Sequence, residues 1–539
     1  MKHLRKVFLI MCLVILGLSM GCTEKNGAYG KRITEDLNTT NIIEDNYRNY
    51  YEIFVRSFYD SNGDGIGDLQ GVIKKLDYIK DLGFNGIWLM PINESSSYHK
   101  YDVNDYYAID SKYGTMEDLE QLIEECHKRD IKLIIDLVLN HSSSTNAMFT
   151  KAKRAHEKYL AGATLTEEEE NYKDFYCFYD NKSDVPSVKT VCQVPGKGYY
   201  YEANFSSNMP EFNCDNPAVR EEFKKIIKFY LDKGIDGFRL DAVKYYYYES
   251  ITKSIELLSQ INQWVKEINP QAYVVGECWD NSEIIEKYYE SGIDSFFNFS
   301  TSVSDPAGSI VNSLNLEGKM LNRYYEGLLS NVSMAKSGIP APFLCNHDMS
   351  RFTSSASENK TKFLYALLSM MNGSTFTYYG DEVGMIGSNA GNKPDQNVRI
   401  PMLWGEGTGD CAELAGATEA SYPYGTVLNQ MNDPNSLYNF YKKCLLIRNQ
   451  NPEIARGTVS LLEMDRDETK LLFIQKEYNG SKIGIIFNFS PYDNLNVDYL
   501  SKGFNQVVGQ IVTNSKEQYI GLQKDKCILL PPYSIAIVK

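Results

Sequence analysis

Three carboxylic acids stand out because each follows a short β-rich segment of the chain. Asp241 lies two residues after Arg239 in one such segment, and Glu277 and Asp348 follow two later ones. Carboxylates gathered in one place repel each other unless a cation holds one ionised and a neighbour keeps its proton. An acid beside a carboxylate is what cleavage of a glycosidic bond requires. The residue types therefore predict acid–base and nucleophilic chemistry on a sugar, provided that the fold brings these segments together.

Histidines and aromatic residues accompany the acids. The chain has only 6 histidines, and His99, His141 and His347 all fall beside the predicted cluster. Tyr101 lies in a short polar segment, where its flat apolar face and its hydroxyl suit a polyhydroxylated ligand. Trp279, close to the second acid, has two open interpretations: it faces a sugar, or it packs against the wall of the fold.

From residue 46 onward, β-rich runs alternate with amphipathic helical stretches, which is the signal of parallel β–α units. The runs are Tyr51–Phe58, Gly86–Pro91, Leu133–Val138, Gly237–Val243, Ala272–Cys278, Ser295–Phe299, Ala341–Asp348 and Ser374–Gly380. Eight strands are the number that a (β/α)8 barrel requires, and the reactive side chains of that fold lie at the carboxyl ends of its strands. This architecture would bring the three acids to one mouth.

The chain is longer than one barrel needs, and the excess falls in two places. The third and fourth runs are far apart, so residues 140–207 are predicted to form a subdomain inserted after strand 3. After residue 451, alternating segments and turn residues predict a C-terminal antiparallel β-sandwich domain at 451–539. The predicted fold is thus of the α/β class, a (β/α)8 TIM barrel built from 46–139 and 208–450 with these two additions.

The segment Asp60–Asp68 has the composition of a metal-binding loop. It carries oxygen-bearing side chains on alternate residues and glycines that permit tight turns. Such a pattern is typical of a loop for a hard cation such as Ca²⁺. It begins like an EF-hand, but the twelfth position is Gly71, where that motif needs a bidentate glutamate. The segment therefore predicts bound calcium without the helix pair of an EF-hand.

The N-terminus has the order of a targeting segment. Residues 1–21 begin with basic side chains, continue with a short apolar run and end with small residues before Cys22. This order is typical of a secretory signal peptide, and the apolar run is too short to span a bilayer comfortably. The residues around Cys22 resemble a bacterial lipobox, which predicts a secreted cell-surface lipoprotein that meets the membrane only through its lipid. Residues 22–45 lack a helical or strand period and are predicted to form a tether.

The overall charge excludes one class of partner. The chain has 55 Lys and Arg against 70 Asp and Glu, a formal charge of −15 that becomes −18 without the three basic residues of 1–21. An acidic chain is a poor candidate for binding a nucleic-acid backbone. The 11 cysteines do not form a disulfide framework, although Cys177 and Cys192 could close one local loop. We expect a monomer without a nucleic-acid partner.

The strand-end motifs together resemble glycoside hydrolase family 13, the α-amylase family, from about residue 50 to the C-terminus. The resemblance implies a retaining double displacement with Asp241 as nucleophile, Glu277 as general acid and base, and Asp348 as a group that binds sugar hydroxyls. It also implies that Arg239 orients the nucleophile and that Tyr101 stacks on the sugar before the cut. The substrate-binding residues that it implies are His99, Tyr101, His141, Arg239, Lys244, His347, Asp395 and Arg399.

The resemblance also extends to the metal loop. Relatives in the family bind calcium at the positions of Asp60, Asn62, Asp64, Ile66 and Asp68, with Ile66 contributing its backbone carbonyl. Hydrolysis of this kind needs no Lewis acid, so the predicted Ca²⁺ is structural.

The expected substrate is an α-glucan. Ala242, directly after the nucleophile, resembles the α-1,4-acting enzymes of the family, so the predicted activity is endo-hydrolysis of α-1,4-glucosidic bonds in starch and maltodextrins. The same residues would serve a 4-α-glucanotransferase or a maltogenic or cyclomaltodextrin-type hydrolase. A non-catalytic surface glycan-binding lipoprotein and a purely structural surface protein are disfavoured, because all three acids are present.

Overall fold

The structure is a computed structural model that describes residues 30–33, 40–303, 310–311, 320–391, 394–417, 421–463, 470–523 and 527–539. The predicted signal peptide at 1–21 and the predicted lipid site at Cys22 lie outside the described residues, as does much of the predicted tether. In the described part of the chain, no helix is long and apolar enough to cross a membrane.

Eight parallel strands form one sheet and confirm the predicted barrel. The strands are Asn49–Ile53, Gly86–Leu89, Lys132–Leu137, Gly237–Leu240, Tyr273–Gly276, Ser295–Asn298, Ala341–Pro342 and Thr375–Tyr378. They follow chain order, and the first strand lies between the second and the eighth. A bridge between Phe343 and Phe376 joins the seventh strand to the eighth and closes the cylinder. The carboxyl ends of all strands therefore meet at one face, the mouth of the barrel.

Helices cover the outside of the barrel. They are Leu69–Lys74, Leu76–Leu82, Met116–His127, Pro217–Asp232, Ile251–Ile268, Ser282–Tyr288, Met320–Met334, Glu358–Ser369 and Leu437–Gln450, with the shorter helices Val427–Met431 and Glu453–Arg456. Another short helix, Pro394–Val398, lies at the mouth. Pro217–Asp232 shows why they form: Phe223, Ile227 and Tyr230 are buried at helical spacing on one face of the helix. Asn216 caps that helix by accepting the N–H of residue 218, and the proline occupies its first position, where no N–H is needed.

The observed barrel strands end earlier than the predicted runs. The seventh strand is only Ala341–Pro342, whereas the sequence predicts a run that extends to Asp348. Pro342 has no N–H to donate to a strand ladder, so the regular strand ends there and only the bridge at Phe343 continues the pairing. The fourth and fifth strands end at Leu240 and Gly276, which places the predicted catalytic residues on loops just beyond the strand ends.

Residues 140–207 form a small lobe beside the mouth. Its elements are the helices Ala147–Leu160 and Glu167–Tyr172 and the antiparallel strands Phe178–Tyr179, Val191–Gln193 and Tyr200–Glu202. The separate hairpin Asn93–Ser95 and Val103–Ile109 precedes it in the chain. Aromatic rings fill the lobe, since the ring centroid of Phe149 lies 4.9 Å from that of Tyr176 and 5.1 Å from that of Tyr201. Cys177 and Cys192 are free thiols.

Two antiparallel sheets form the C-terminal sandwich. One contains Thr458–Leu461, Leu471–Tyr478, Ser481–Asn488, Val507–Val512 and Ser534–Val538, and the other contains Lys31–Arg32, Leu495–Val497, Gly521–Leu522 and Ile528–Leu530. Side chains from both sheets, such as Phe473 and Ile528, share one buried apolar core. The pairing of Lys31–Arg32 with Gly521–Leu522 departs from the predicted tether, because a strand of two residues is too short to show a period in the sequence.

Two buried basic side chains join the barrel to the C-terminal domain at the end opposite the mouth. Lys476, of the C-terminal domain, and Arg448, of the last barrel helix, both donate to uncharged oxygens of the turn 369–373 before the eighth strand. The acceptors of Lys476 are the carbonyls of Met370 and Ile454 and Oδ1 of Asn372, at 2.7 to 2.8 Å. The acceptors of Arg448 are the carbonyls of Ser369, Met371 and Gly373 and Oδ1 of Asn49, at 2.6 to 2.8 Å.

Candidate active site

A cavity of about 380 Å³ at the mouth of the barrel brings the three acids together. Asp241 follows the fourth strand, Glu277 follows the fifth, and Asp348 lies on the loop after the seventh. The cavity is lined by His99, Tyr101, His141, Phe205, Ser206, Met209, Asp241, Ala242, Glu277, Trp279, Asp348, Asp395 and Arg399. Most of the residues predicted from the sequence therefore surround one space.

One guanidinium group holds two of the three acids. Nη1 of Arg239 donates to Oδ1 of Asp241 at 2.6 Å, and Nη2 lies 3.1 Å from Oε2 of Glu277. The same Nη1 donates to Oδ1 of Asp136 at 2.8 Å, a buried carboxylate on the third strand to which the sequence analysis gave no role. Arg239 is fully buried over the ring of Trp88, at 5.3 Å from its centroid. The arginine fork fixes the two carboxyl groups side by side.

Glu277 is placed to keep its proton near neutral pH. Burial raises the pKa of Glu277, Arg239 opposes this, and Asp241 and Asp348 add to it, so that the pKa reaches about 7. The backbone N–H of Ala242 donates to Oε2 of Glu277 at 3.0 Å. Ala242 has a φ of +50°, in the left-handed region that residues with a Cβ seldom adopt. This unusual conformation aims its amide at the acid.

Asp348 is held as a carboxylate. Nη2 of Arg399 donates to Oδ1 at 2.8 Å, and Nε2 of His347 lies 2.9 Å from Oδ2. Burial alone would raise the pKa of Asp348, but His347 and Arg399 hold it below its usual range. An ionised carboxylate only accepts hydrogen bonds, which suits the hydroxyl groups of a sugar.

Two histidines in the cavity wall are neutral. Burial lowers the pKa of both rings, that of His99 to about 4. The N–H of Tyr101 donates to Nδ1 of His99 at 3.1 Å, so the proton of that ring is on Nε2. Among the described residues, nothing hydrogen-bonds Nε2 of His141. His141 contributes to the cavity lining, although this nitrogen is itself buried.

Three of the predicted substrate-binding residues, Arg239, Lys244 and His347, lie outside the cavity lining. Arg239 is buried beneath the acids that it holds. His347 is buried behind Tyr101, with the two rings stacked at 5.6 Å, and both of its ring nitrogens contact protein groups. Lys244 pairs with Asp280 at 2.8 Å. A motif gives the residue type at a strand end, but the local backbone decides where the side chain points.

Two exposed aromatic rings extend the cavity beyond the acids. Trp279 is 43% exposed and stacks on Phe299 with the ring centroids 4.9 Å apart. It therefore combines the two roles that the sequence left open, since it packs on the wall and also lines the cavity. Phe205, which is 46% exposed and 5.3 Å from the ring of His141, was missed because the inserted lobe carries no strand-end motif.

The segment Asp60–Asp68 forms a tight loop after the first strand. Asp60 accepts the backbone N–H groups of Asn62, Gly63 and Gly65 at 2.6 to 3.0 Å. Burial alone would raise the pKa of Asp60, but these N–H groups lower it. Asp68 caps the helix Leu69–Lys74. Of the residues that the structure describes, no group of three or more His, Cys, Asp or Glu is arranged to hold a metal. The loop offers oxygen atoms, which are the type of ligand that Ca²⁺ prefers.

The fold and the paired acids define a glycoside hydrolase built on a (β/α)8 barrel, and comparisons with known proteins agree. The α-amylase catalytic-domain family matches residues 52–457. The chain is 37% identical over 509 residues to Alpha-amylase 3 of Dictyoglomus thermophilum, covering 92% of this chain and 93% of that protein. The solved structure of Eubacterium rectale Amy13B is 41% identical, with a TM-score of 0.85 over 93% of this chain and 97% of that one. The protein belongs to the α-amylase family, glycoside hydrolase family 13.

Less similar relatives carry the names of enzymes with another bond or another reaction. An oligo-1,6-glucosidase of Parageobacillus thermoglucosidasius is 29% identical and covers 82% of this chain and 89% of its own length. A 4-alpha-glucanotransferase of Thermotoga neapolitana is 28% identical, with 82% and 95% covered. Membership of the family therefore fixes the class of enzyme and leaves the bond and the acceptor open.

Proposed function

We propose that the protein hydrolyses α-1,4-glucosidic bonds within starch and maltodextrin chains and retains the anomeric configuration. The observation that carries the proposal is the fork of Arg239, which binds Asp241 and Glu277 together. Two carboxyl groups on one guanidinium favour the separation of roughly 5 Å of retaining enzymes over the wider gap that an inverting enzyme needs for water. The similarity to a protein named Alpha-amylase 3 supports the choice of bond.

The reaction would proceed in two displacements. Asp241 attacks the anomeric carbon while Glu277 gives its proton to the leaving oxygen, so the glycosidic bond breaks and a glycosyl ester forms. Water then loses a proton to Glu277 and attacks the same carbon, which releases Asp241. A pKa of about 7 suits Glu277 to both steps. Asp348 and His141 would bind sugar hydroxyls, and the ring of Tyr101 would lie against the sugar.

The stereochemistry and the product profile test this proposal. NMR during the first minutes of maltopentaose hydrolysis should show the α-anomer as the first product. Amylose should lose viscosity early and yield a range of short oligosaccharides, whereas pullulan and cyclodextrins should react slowly. A β-anomer as first product would exclude the retaining mechanism, and release of a single small product from amylose would exclude endo-action.

Transfer to a sugar acceptor is the second candidate, because the same residues would serve a 4-α-glucanotransferase. Maltotriose separates the two, since oligosaccharides longer than the substrate appear only by transfer. Rapid opening of cyclodextrins would instead favour a maltogenic or cyclomaltodextrin-type hydrolase. If the wild-type protein bound maltooligosaccharides but cleaved none of them, the non-catalytic glycan-binding alternative would replace all three.

We further propose that the loop Asp60–Asp68 binds one structural Ca²⁺. The side chains of Asp60, Asn62, Asp64 and Asp68 and the carbonyl of Ile66 would hold it, and the ion would stiffen the loop after the first strand. A chelator should lower the melting temperature, and calcium should restore it while magnesium should not. An unchanged melting temperature would refute the proposal.

The proposed location is the outer face of the cell membrane, where a lipid on Cys22 would hold a monomeric enzyme against its α-glucan substrate. The order of residues 1–22 supports this proposal. Mass spectrometry of the membrane fraction should find an N-terminal diacylglyceryl-Cys22. A full-length N-terminus without lipid would refute the anchor, and sedimentation would test the monomer.

A further inference from the structure

Glu52 is a buried carboxylate that contacts the catalytic machinery without lining the substrate cavity. It lies on the first barrel strand and is 1% exposed. Its Oε1 is 2.5 Å from Nδ1 of His347, and Nε2 of the same ring is 2.9 Å from Oδ2 of Asp348. The imidazole therefore lies between two carboxyl groups that come from different parts of the barrel.

This geometry determines the charge of the ring. A neutral imidazole has one N–H and one acceptor nitrogen, whereas an ionised carboxylate only accepts. Both nitrogens of His347 face carboxyl oxygens. Burial raises the pKa of Glu52 and the contact with His347 opposes that rise; with Glu52 ionised, both ring nitrogens carry protons and the ring is an imidazolium. The hydroxyl of Tyr101 agrees with this: it is 2.7 Å from Nε2 and donates to Oδ2 of Asp136 at 3.0 Å, so its oxygen accepts from the ring.

We propose that Glu52 is a positioning residue of the active site, which keeps His347 protonated so that His347 holds Asp348 ionised and fixed in orientation. The inference rests on the proposed function, in which Asp348 binds the sugar. It also gives His347 a different task from the direct sugar contact that the family resemblance implies. The hydrogen bond of Glu52 reaches the catalytic residues through the histidine, because the ring separates the two carboxyl groups.

Among the other charged groups around the ring, some lower the pKa of His347 and one raises it. Nε of Arg399 donates to the carbonyl of His347 at 3.0 Å, and Arg239 lies over the ring of Tyr101 at 5.8 Å. Both arginines disfavour a further positive charge, and the buried Asp136 favours one. Burial alone would lower the pKa of His347, and Asp348 and Glu52 raise it to about 9. If one of these two carboxylates is removed, fewer negative charges oppose burial and the two arginines. The pKa of His347 should then fall.

Histidine-selective ¹⁵N labelling with NMR tests the inference, because the chain has only 6 histidines. His347→Asn identifies the signal. In the wild-type protein, both ring nitrogens should stay protonated between pH 6 and 8. Glu52→Gln should lower the midpoint of the His347 titration by at least about one unit, the scale of a single close charge, and Glu52→Asp should restore part of it. A neutral His347 at pH 7 in the wild type, or equal midpoints in the two proteins, would overturn the proposal.

Glu382→Gln is the matched control. Glu382 is also a buried carboxylate of the barrel, but it accepts hydrogen bonds from Tyr51 at 2.7 Å and Tyr78 at 2.6 Å. The control should change the stability of the fold, and the midpoint of the His347 titration should stay the same. If both variants shifted the histidine equally, a general loosening of the barrel would explain the result and the specific role of Glu52 would be wrong.

Kinetics provide the second readout. Glu52→Gln should lower kcat/KM on maltooligosaccharides by about 10- to 100-fold, the usual effect of removing a group that orients a functional side chain. The loss should grow as the pH rises through the lowered midpoint of His347, which a merely structural defect would not cause. The NMR titration needs no substrate, so an error in the proposed function would appear as inactivity on α-glucans while the behaviour of His347 still decides this inference.

Discussion

The two ends of the barrel bury basic side chains in opposite ways. At the mouth, Arg239 and the imidazolium of His347 are bound by carboxyl groups. At the other end, Arg448 and Lys476 are bound by carbonyl and amide oxygens. A cation paired with carboxyl groups responds strongly to protonation and to a ligand, whereas a basic group held by fixed peptide dipoles has no carboxyl partner that titrates. Burial and the neighbouring Arg448 lower the pKa of Lys476. The mouth is thus suited to proton exchange, and the opposite end is suited to holding two domains together.

The largest effect should come from removal of the nucleophile at the mouth. Asp241→Asn should lower kcat on maltooligosaccharides by at least roughly 10⁴-fold, because no other carboxylate can form the glycosyl ester. Steady-state assays and calorimetry check this, with a melting temperature close to that of the wild type. Asp215→Asn, which removes an exposed ion pair with Lys253, is the control and should stay active. More than a tenth of the normal rate in Asp241→Asn would contradict the assignment.

Glu277→Gln should lower the rate by about 10²- to 10⁴-fold and also change the pH profile. Wild-type activity should fall as the pH rises through about 7, because Glu277 then loses the proton that it must donate. The variant should lack this alkaline limb. For substrates with a good leaving group, such as an aryl glycoside, the variant should slow the first displacement less, because the leaving oxygen needs less help from a proton. Equal losses on both substrate types would argue against Glu277 as the acid.

The same variant should be more stable than the wild type. The pKa of Glu277 is raised from 4.5 to about 7 on folding, so its contribution to stability is lost as the pH rises through that window. Replacement with glutamine should increase the free energy of unfolding at pH 8 by roughly 3 kcal/mol, with little difference at pH 4.5. Denaturant titrations at the two pH values check the sign. The difference in unfolding free energy between Glu277→Gln and the wild type should be larger at pH 8 than at pH 4.5. A smaller difference at pH 8 would contradict the burial argument.

At the opposite end of the barrel, Lys476→Met should affect stability and leave catalysis intact. The substitution leaves three buried oxygens without their donor, so we expect a loss of about 3 kcal/mol and unchanged kcat and KM. Lys482→Met, on the neighbouring strand with an exposed side chain, is the matched control and should be neutral. A large change in KM for Lys476→Met would show that the two ends are coupled.

The smallest effect should come from Trp279→Ala at the edge of the mouth. Loss of one exposed ring that stacks on Phe299 should raise KM by about 3- to 10-fold for long maltooligosaccharides, in line with about 1 kcal/mol for an aromatic contact. Maltotriose should be affected less. Tyr492→Ala, which removes an exposed ring in the C-terminal domain, should leave KM unchanged. If both substitutions changed KM equally, Trp279 would have no specific role in substrate binding.

The sequence predicts what lies at strand ends better than what lies behind them. Asp241 and Glu277 were found because each follows a β-rich run, and the barrel topology then requires them to meet. Glu52 was not found, because it sits inside a buried strand beside aromatic and aliphatic residues and belongs to no strand-end motif. Only the three-dimensional contact with His347 gives it a role.

Short elements and long-range strand pairings also could not be predicted from the sequence. The strand Lys31–Arg32 has two residues, and its partner Gly521–Leu522 is almost the whole chain away. The buried Lys476 lies on a strand that alternates too weakly to reveal which lysine turns inward. Such positions depend on tertiary packing, which overrides local pattern.

The strand Lys31–Arg32 has a consequence for the reach of the enzyme. On the lipid-anchor proposal, only the residues between Cys22 and Gly30 separate the membrane from a point fastened to the C-terminal domain. A fully extended chain of that length spans at most about 29 Å. The enzyme would therefore work within one molecular diameter of the cell surface and would depend on glucan chains that arrive there.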